Sequence, residues 1–364
     1  MNTRFRHIPR TRRSMAGVSL VELMVGITLG LLVLAGLASV FANSSRSRTD
    51  IERASRQIEN GRYALEVLGD DIRMAGFYGE FNPDVLAHYT PTTPATDVCS
   101  TDPVVWTNYL RSPFYGYDNG ASVPTCLPGN LKPNTDVMVI RRVAGCEANA
   151  GGCPAPVTGL GYFQASKCGG ATQLGSPSIT DAYRLGQYGT GGTTFDRQIK
   201  DCATTSGVRR YMVHVYFIAT DNGQGQSIPT LTRLELNPNT PNGFDIVPLV
   251  EGIEQLNIEY GIDYNLDGQP DAYSADPSNF SNASCSASVD CTPSKNWENV
   301  TAVRLNLLAR NIDTTPNYTD AKTYTLGLDA SGNPITYTPG DSYQRHAYSS
   351  VVRVENVSQR RDLP

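Results

Sequence analysis

Residues 18–42 read VSLVELMVGITLGLLVLAGLASVFA, an apolar run with a single charged side chain, Glu22. The twenty positions from 23 to 42 carry no charge. As an α-helix they would be ~30 Å long, the thickness of the hydrocarbon core of a bilayer. The sequence therefore predicts a membrane-spanning helix.

Basic residues come before this run. Residues 1–17 contain no acid and five arginines, Arg4, Arg6, Arg10, Arg12 and Arg13. This bias predicts a cytoplasmic N-terminus, with everything after Phe41 on the far side of the membrane. The net charge of −5 for the whole chain makes the remainder acidic, which argues against nucleic acid as the main partner.

A secretory signal peptide and a simple uncleaved anchor are two other interpretations of this segment. A signal peptide has a shorter apolar core followed by a small-residue cleavage site. An anchor explains the length of the run but not Glu22. A carboxylate at the membrane centre costs roughly 2.5–3.5 kcal/mol, and less near the interface, so it usually marks a function.

The stretch Gly17-Val18-Ser19-Leu20-Val21-Glu22 resembles the processing site of type IV prepilins. The resemblance implies that a prepilin peptidase cuts after Gly17 and methylates the new amine of Val18. It also implies that Glu22 is the glutamate fifth after the cut. The cationic amine of one subunit and Glu22 of its neighbour would attract in low dielectric and fix the register between packed helices.

The helical pattern continues beyond the apolar run. Apolar residues recur every seven positions at Ile51, Ile58, Leu65 and Ile72, with Ala54, Gly61, Leu68 and Ala75 three positions after each. This stripe predicts one helix from Ser19 to Ala75, ~85 Å long, that ends at the glycines of GFYGEFNPD. A sheet of the same chain or a coiled-coil partner could cover it, and the sheet is favoured. Glu66, Asp70 and Asp71 are interpreted as a solvated face.

The rest of the chain divides into two parts. Residues 77–205 are rich in Gly, Pro and Thr, with one clear strand at 135–144, and are interpreted as a loop-rich region. Residues 206–364 predict an antiparallel sheet with strands at 209–219, 231–236, 254–263, 300–310 and 346–356.

All eight cysteines follow residue 90, at Cys99, Cys126, Cys146, Cys153, Cys168, Cys202, Cys285 and Cys291. No pair has the spacing of a zinc knuckle or a redox dithiol. An even number behind a membrane segment indicates disulfides in an oxidising compartment. Eight cysteines allow 105 pairings, of which pairing between sequence neighbours is favoured.

Four further stretches resemble the PilW family of type IV minor pilins: DIRMAGFYG, VEGIEQLNIEYGIDYNLDG, ENVTAVRLNLLARN and VVRVENV. The resemblance implies an α+β, pilin-like lollipop, in which a long N-terminal helix packs on an antiparallel β-sheet head with a loop-rich, disulfide-stapled insertion. The implied parts are a leader (1–17), a transmembrane and filament-core helix (18–42), an amphipathic helix (43–76), the cysteine-containing region (77–205) and the sheet (206–364).

The resemblance also implies a function. It places the chain in the inner membrane with a periplasmic head, or at the pilus tip, where it would prime pilus assembly with other minor pilins, the major pilin and a tip adhesin. Adhesion and twitching motility would depend on it. The alternatives are a minor pseudopilin of type II secretion and a periplasmic enzyme or binding domain on an uncleaved anchor.

The turn DYNLDGQPD, residues 263–271, is a candidate calcium site. Asp263, Asn265 and Asp267 alternate before Gly268, and Asp271 follows, as oxygen ligands do around a hard cation. The twelfth position is Ser274 instead of the glutamate of a complete loop, and the same residue types form plain hairpin turns. Both interpretations stay open, and no other cofactor is expected.

No motif indicates catalysis. His7, His88, His214 and His346 lack a nucleophile motif beside them and are interpreted as structural. The basic pairs at 141–142, 209–210 and 360–361 are interpreted as ordinary surface.

Overall fold

The computed structural model describes residues 17–86, 98–120, 123–189, 191, 193–281, 285 and 289–361. The arginines of the leader, His7 and His88 lie outside these ranges. The chain divides into two compact units, Met1–Glu52 and Arg53–Pro364. The second is called the C-terminal unit below.

Helix α1 spans Leu20–Met74, 55 residues, close to the predicted range. It stops because Gly76 adopts φ of +71°, a left-handed conformation that glycine accepts without strain and that ends a helix. The N–H of Gly76 then donates to the carbonyl of Arg141, so the chain that follows the helix is hydrogen-bonded to the strand at Val137–Val143. The breaker motif therefore places the end of the helix correctly.

In the C-terminal unit α1 buries one face, formed by Gln57, Gly61, Ala64, Leu68, Gly69, Asp71 and Ile72. The predicted stripe is wrong at its start, because Ile51 is 65% exposed and Ile58 is 46% exposed. A straight helix has 3.6 residues per turn, so a seven-residue repeat drifts ~20° per heptad away from a fixed face. The buried face follows the 3.6-residue period instead.

The larger sheet has seven antiparallel strands: β1 (Phe114–Tyr117), β2 (Val137–Val143), β3 (Gly161–Ala165), β4 (Tyr183–Gln187), β5 (Arg209–Ala219), β6 (Thr230–Leu236) and β7 (Phe244–Glu251). Strand β5 is its centre. It pairs with β2 through residues 211–216, with β3 at its start and with β6 towards its end. Strands β1, β4 and β7 lie outside β2, β3 and β6 respectively.

A second antiparallel sheet has the order β13-β10-β8-β9, with β8 at Ile253–Ile262, β9 at Ala272–Ser274, β10 at Val300–Arg310 and β13 at Arg345–Arg353. Strands β11 (Tyr324–Leu328) and β12 (Pro334–Tyr337) form a separate hairpin. The described residues of the C-terminal unit also include three short α-helices: α2 (Pro103–Asn108), α3 (Pro293–Glu298) and α4 (Glu355–Ser358). The fold is α+β, with a long N-terminal helix and antiparallel sheets.

The two sheets and α1 enclose the main core, in which Ala64, Leu68 and Ile72 of α1 meet Leu305 and Leu307 of β10. The central strands β2 and β5 of the seven-stranded sheet are buried on both faces. Along β2, Met138 and Ile140 face this core, whereas Val137, Val139 and Val143 face a second core with the aromatic residues of the cysteine-containing region. A strand with two buried faces reads as a continuous apolar run, as the first four residues of β2, 137–140, do.

Several predicted strands are close to the observed ones, and those at 209–219 and 300–310 agree at both ends. The region 77–205 contains four strands instead of the one predicted, and they join the seven-stranded sheet. Strand β7 was not predicted because Pro248 interrupts it. Proline is tolerated there because β7 is an edge strand that pairs only with β6 among the described strands.

The eight cysteines form four disulfides, Cys99–Cys126, Cys146–Cys153, Cys168–Cys202 and Cys285–Cys291. Every cysteine pairs with its neighbour in the sequence, which is the pairing that the sequence favoured. The loops they close span 27, 7, 34 and 6 residues. Three of the four lie in the region 77–205, where short strands alternate with long loops.

Candidate functional site

The start of α1 is the first candidate site. Gly17 and Val18 precede the helix, and the first helical turn closes when the N–H of Leu23 donates to the carbonyl of Ser19 at 3.0 Å. The Gly17–Val18 bond therefore lies in exposed, non-helical backbone, the conformation that a peptidase needs. Glu22 lies in the first turn, where the positive end of the helix dipole favours a carboxylate.

The apolar run of α1 is exposed along its whole length. The large side chains from Leu23 to Phe41 are between 50% and 77% exposed. Such a surface is far larger than a soluble protein leaves in water, so it requires lipid or other helices around it. By length and composition this helix is able to cross a membrane.

The hydroxyl of Thr28, inside the apolar run, is satisfied within the helix. It donates to the carbonyls of Met24 and Val25, both at 2.9 Å. Thr28 can therefore enter an apolar environment with its hydroxyl paired. Gly26 and Gly30 lie one turn apart on one face, where a methyl group added to either glycine would meet no other atom within 4 Å, and a second helix could approach closely there.

A buried polar cluster in the C-terminal unit was not predicted. Asp71 of α1 accepts hydrogen bonds from Arg142 of β2 at 2.5 Å and from Tyr216 of β5 at 2.8 Å, and it bonds His214 Nδ1 at 2.6 Å. The prediction of a solvated face is correct for Glu66 and Asp70, which are exposed, and wrong for Asp71, which is 5% exposed. His214 is a satisfied structural histidine, as predicted.

The neighbouring His214 and Arg142 explain why the carboxylate of Asp71 can be buried. Burial by itself raises the pKa of Asp71, but His214 and Arg142 outweigh that effect and hold the pKa well below its usual range. Burial also raises the pKa of the Tyr216 hydroxyl, and the neighbouring Asp71 raises it further. The cluster is a fully bonded link between α1 and the seven-stranded sheet, which indicates a structural role.

Carboxylates of the turn 263–271 accept hydrogen bonds from main-chain N–H groups of the same turn. Asp263 is fully buried and accepts the N–H groups of Leu266, Asp267 and Gly268 at 2.6, 3.1 and 2.9 Å, as well as a 3.0 Å ion pair from Arg361. Asp271 accepts the N–H groups of Tyr264 and Asn265. These are the bonds of a closed turn, so they favour the plain-turn interpretation, with calcium binding as the alternative.

Within the part of the chain that the structure describes, no group of three or more His, Cys, Asp or Glu side chains is placed to hold a metal ion. His346 is exposed and packs edge-on against Tyr348, with 4.7 Å between the ring centroids. His346 is thus a surface residue whose ring contact with Tyr348 lies within its own strand.

The basic pairs serve the interior of the C-terminal unit. Arg141 is buried with its guanidinium 4.3 Å from the ring centre of Tyr109. Arg209 lies over the ring of Phe77, and Arg361 pairs with Asp263. These guanidinium groups are engaged within the chain, and the interpretation of the pairs as ordinary surface is wrong for Arg141.

Residues 215–356 match the family model PilW, the type IV pilus-assembly protein W. This segment is PilW-like. It runs from the middle of β5 to the start of α4 and includes the whole four-stranded sheet. The match therefore covers the stretches from 250 onward whose resemblance to PilW the sequence indicated.

A type IV-like pilin from Thermus thermophilus aligns with 83% of this chain and 98% of its own, at 11% identity and a TM-score of 0.34. No curated protein sequence matches the chain.

Proposed function

We propose that the protein is a PilW-like minor pilin that primes type IV pilus assembly and lies in a tip complex with other minor pilins, next to the major pilin and a tip adhesin. One observation carries the proposal: a PilW-like segment at 215–356 shares a chain with a helix that begins with an exposed apolar run and a first-turn glutamate. Its role is structural and not enzymatic.

The proposed mechanism begins with processing. A prepilin peptidase removes the leader after Gly17 and methylates the amine of Val18. The protein is then held in the inner membrane by α1, with its N-terminus on the cytoplasmic side and the C-terminal unit in the periplasm. During assembly the apolar run moves from lipid into a bundle of like helices, so its exposed side chains stay in an apolar environment.

In the proposed assembly, a pair of opposite charges sets the register between neighbouring helices. In the bundle, Glu22 of one subunit lies beside the Val18 amine of its neighbour. Two opposite charges in a low dielectric attract strongly, and removal of one leaves the other unpaired at a cost of roughly 3–5 kcal/mol. Helices that are shifted by one turn would separate the charges, so the pair selects one stagger.

The processing step is tested by mass spectrometry of the protein purified from its native host. The expected N-terminus is methylated Val18. A chain that retains the arginines of the leader would overturn the proposal and would support an enzyme or binding domain on an uncleaved anchor.

The assembly step is tested with the variant Glu22→Ala. We expect its amount in sheared pili, relative to the membrane fraction, to fall by more than ~10-fold. Glu66→Ala is the matched control, because Glu66 is an exposed acid on the same helix, and it should assemble as the unaltered protein does. Equal incorporation of the two variants would contradict the role of Glu22. Recovery with secretion pseudopilins instead of pilus subunits would identify the type II secretion alternative.

A further inference from the structure

A small cavity lies in the C-terminal unit, between α1 and the end of β10. Its volume is about 20 Å³, which is enough for one atom the size of a water oxygen. One wall comes from α1, where Arg53, Arg56 and Gln57 lie on the same face of the helix because they are three and four residues apart. Residues 310–313 form the other wall.

Hydrogen bonds hold α1 against the strands around the cavity. The amide of Gln57 donates to the carbonyls of Ala309 and Gln344, both at 2.8 Å. The amide of Asn60, three residues further along α1, donates to the carbonyl of Glu251 at 3.0 Å. The walls of the cavity are therefore preformed.

A buried amide without a partner lines this cavity. Asn311 is 3% exposed, and neither its Nδ2 nor its Oδ1 has a hydrogen-bond partner among the described residues. The Nε of Arg310, the preceding residue, is also buried and without a hydrogen-bond partner in the described part of the chain. Buried polar groups in native proteins are almost always hydrogen-bonded, so these two donors point to a ligand that brings an acceptor atom.

The lining of the cavity has an excess of positive charge. Three guanidinium groups, of Arg53, Arg56 and Arg310, line it together with one carboxylate, that of Asp313. Asp313 lies 3.9 Å from Arg53, and Arg310 lies 4.0 Å from Glu254, so both ion pairs are long. Arg56 is exposed and forms no ion pair with another described residue. The ligand that suits this site is therefore an anion.

We propose that this cavity binds the phosphate group of an anionic ligand, either inorganic phosphate or a phospholipid headgroup. The cavity admits one phosphate oxygen, which accepts hydrogen bonds from Asn311 Nδ2 and Arg310 Nε. The other oxygens stay at the mouth, within reach of the exposed Arg56. A guanidinium donates two parallel N–H groups to a phosphate, which favours phosphate over a spherical anion such as chloride.

The test is calorimetric titration of the full chain, in a non-ionic detergent, with inorganic phosphate, and with chloride at the same ionic strength as the reference. We expect phosphate to saturate one site and chloride to give no binding. Arg56→Gln should weaken phosphate binding about tenfold, because it removes a charged donor from the mouth. Arg62→Gln is the matched control, since Arg62 is an exposed arginine of the same helix that does not line the cavity, and it should bind as the unaltered chain does.

A second variant tests the buried donor. Asn311→Asp keeps the size of the side chain and replaces its N–H groups by a negative charge, so it should abolish phosphate binding. Its Tm shows whether it folds. Arg56→Gln changes an exposed side chain, so its result decides the matter even if Asn311→Asp fails to fold.

Nanodiscs distinguish the two sources of the phosphate group. The titration with inorganic phosphate is repeated in phosphatidylcholine nanodiscs that contain either phosphatidylglycerol or the same surface charge as oleic acid. Weaker binding in the first identifies the headgroup as the ligand, because it occupies the site, and equal binding in both identifies inorganic phosphate.

Three results would overturn the site. They are the absence of phosphate binding by the unaltered chain, equal affinities for phosphate and chloride, and equal effects of Arg56→Gln and Arg62→Gln. The proposed function would stand in each case, because the cavity takes no part in it.

Discussion

Asp71 of α1 and His214 of β5 are separated by 143 residues in the sequence and are joined by a 2.6 Å hydrogen bond inside the C-terminal unit. Both side chains are almost completely buried. The bond ties α1 to the central strand of the seven-stranded sheet, while Arg142 ties the same carboxylate to β2. A single acid of α1 therefore links the helix to two strands of the seven-stranded sheet, in addition to the apolar contacts of the helix.

Replacement of Asp71 by a neutral residue should destabilise the folded protein. We expect Asp71→Asn to lower the free energy of unfolding by about 3–5 kcal/mol, because it leaves buried His214 and partly buried Arg142 without their negative partner. Asp70→Asn is the matched control, since Asp70 is exposed and its ion pair with Arg73 lies on the surface. It should change stability by less than ~1 kcal/mol. Urea unfolding of the full chain in detergent measures both, and similar values for the two variants would contradict the prediction.

The same carboxylate predicts a pH dependence. The pKa of Asp71 in the folded protein is lower than its ordinary value of 3.8, so the unfolded chain binds the proton more tightly. The stabilisation is fully present above the unfolded pKa and is lost as the pH falls through the folded pKa. We expect the free energy of unfolding to fall between about pH 4 and about pH 2, and to fall less steeply in Asp71→Asn. Identical slopes would show that other groups dominate acid unfolding.

Gly61 and Gly69 offer a matched pair on one face of α1. A Cβ at Gly61 would overlap the ring of Tyr348, so Gly61→Ala should destabilise the protein by about 1–3 kcal/mol through overpacking. At Gly69 the nearest atom to a Cβ is 3.5 Å away, so Gly69→Ala should be neutral or stabilise by up to ~1 kcal/mol through helix propensity. The second change Tyr348→Ala should weaken the effect of Gly61→Ala, and its failure to do so would refute the overlap.

The contribution of each disulfide to the free energy of unfolding should increase with the length of the loop that it closes. By chain entropy, the Cys168–Cys202 bond, which closes 34 residues, should contribute about 4 kcal/mol, and the Cys285–Cys291 bond, which closes 6, about 2 kcal/mol. Replacing both cysteines of each pair by serine and measuring unfolding checks the order. A larger loss for the shorter loop would point to local structure around residues 285–291 as the source of stability.

Calcium should have little effect on the turn 263–271. The carboxylate of Asp263 already accepts three N–H groups and Arg361, and a cation would have to displace them. We expect added calcium to leave Tm unchanged, and Asp263→Asn to lower stability by about 1–3 kcal/mol. A rise in Tm with calcium concentration would instead establish ligation there.

Local patterns were sufficient to predict much of the fold. The apolar run and the stripe that follows it place α1, and β-branched runs bounded by turn residues place β5, β6, β8, β10 and β13. The sequence does not predict strands β3 and β4, because each has only five residues, which are too few to show a clear alternation of apolar and polar residues. Gln57 shows another limit: its amide donates at 2.8 Å to the carbonyls of Ala309 and Gln344, more than 250 residues away.

The candidate site was predictable only where its chemistry is local. Gly17, Val18 and Glu22 lie within six residues and can be recognised together. Asp71 could not be recognised, since the groups that neutralise it come from β2 and β5 and no spacing connects them.

Because each disulfide joins one cysteine to the next, export of the C-terminal unit to the periplasm, as proposed, would allow oxidation to follow the order of the cysteines along the chain. When Cys126 emerges, Cys99 is the only thiol available to it, and the same holds in turn for Cys153, Cys202 and Cys291 if each bond closes before the next cysteine appears. Maturation of the protein would then need an oxidant but no reshuffling of mispaired bonds, which is the slow step for chains with crossed connectivities.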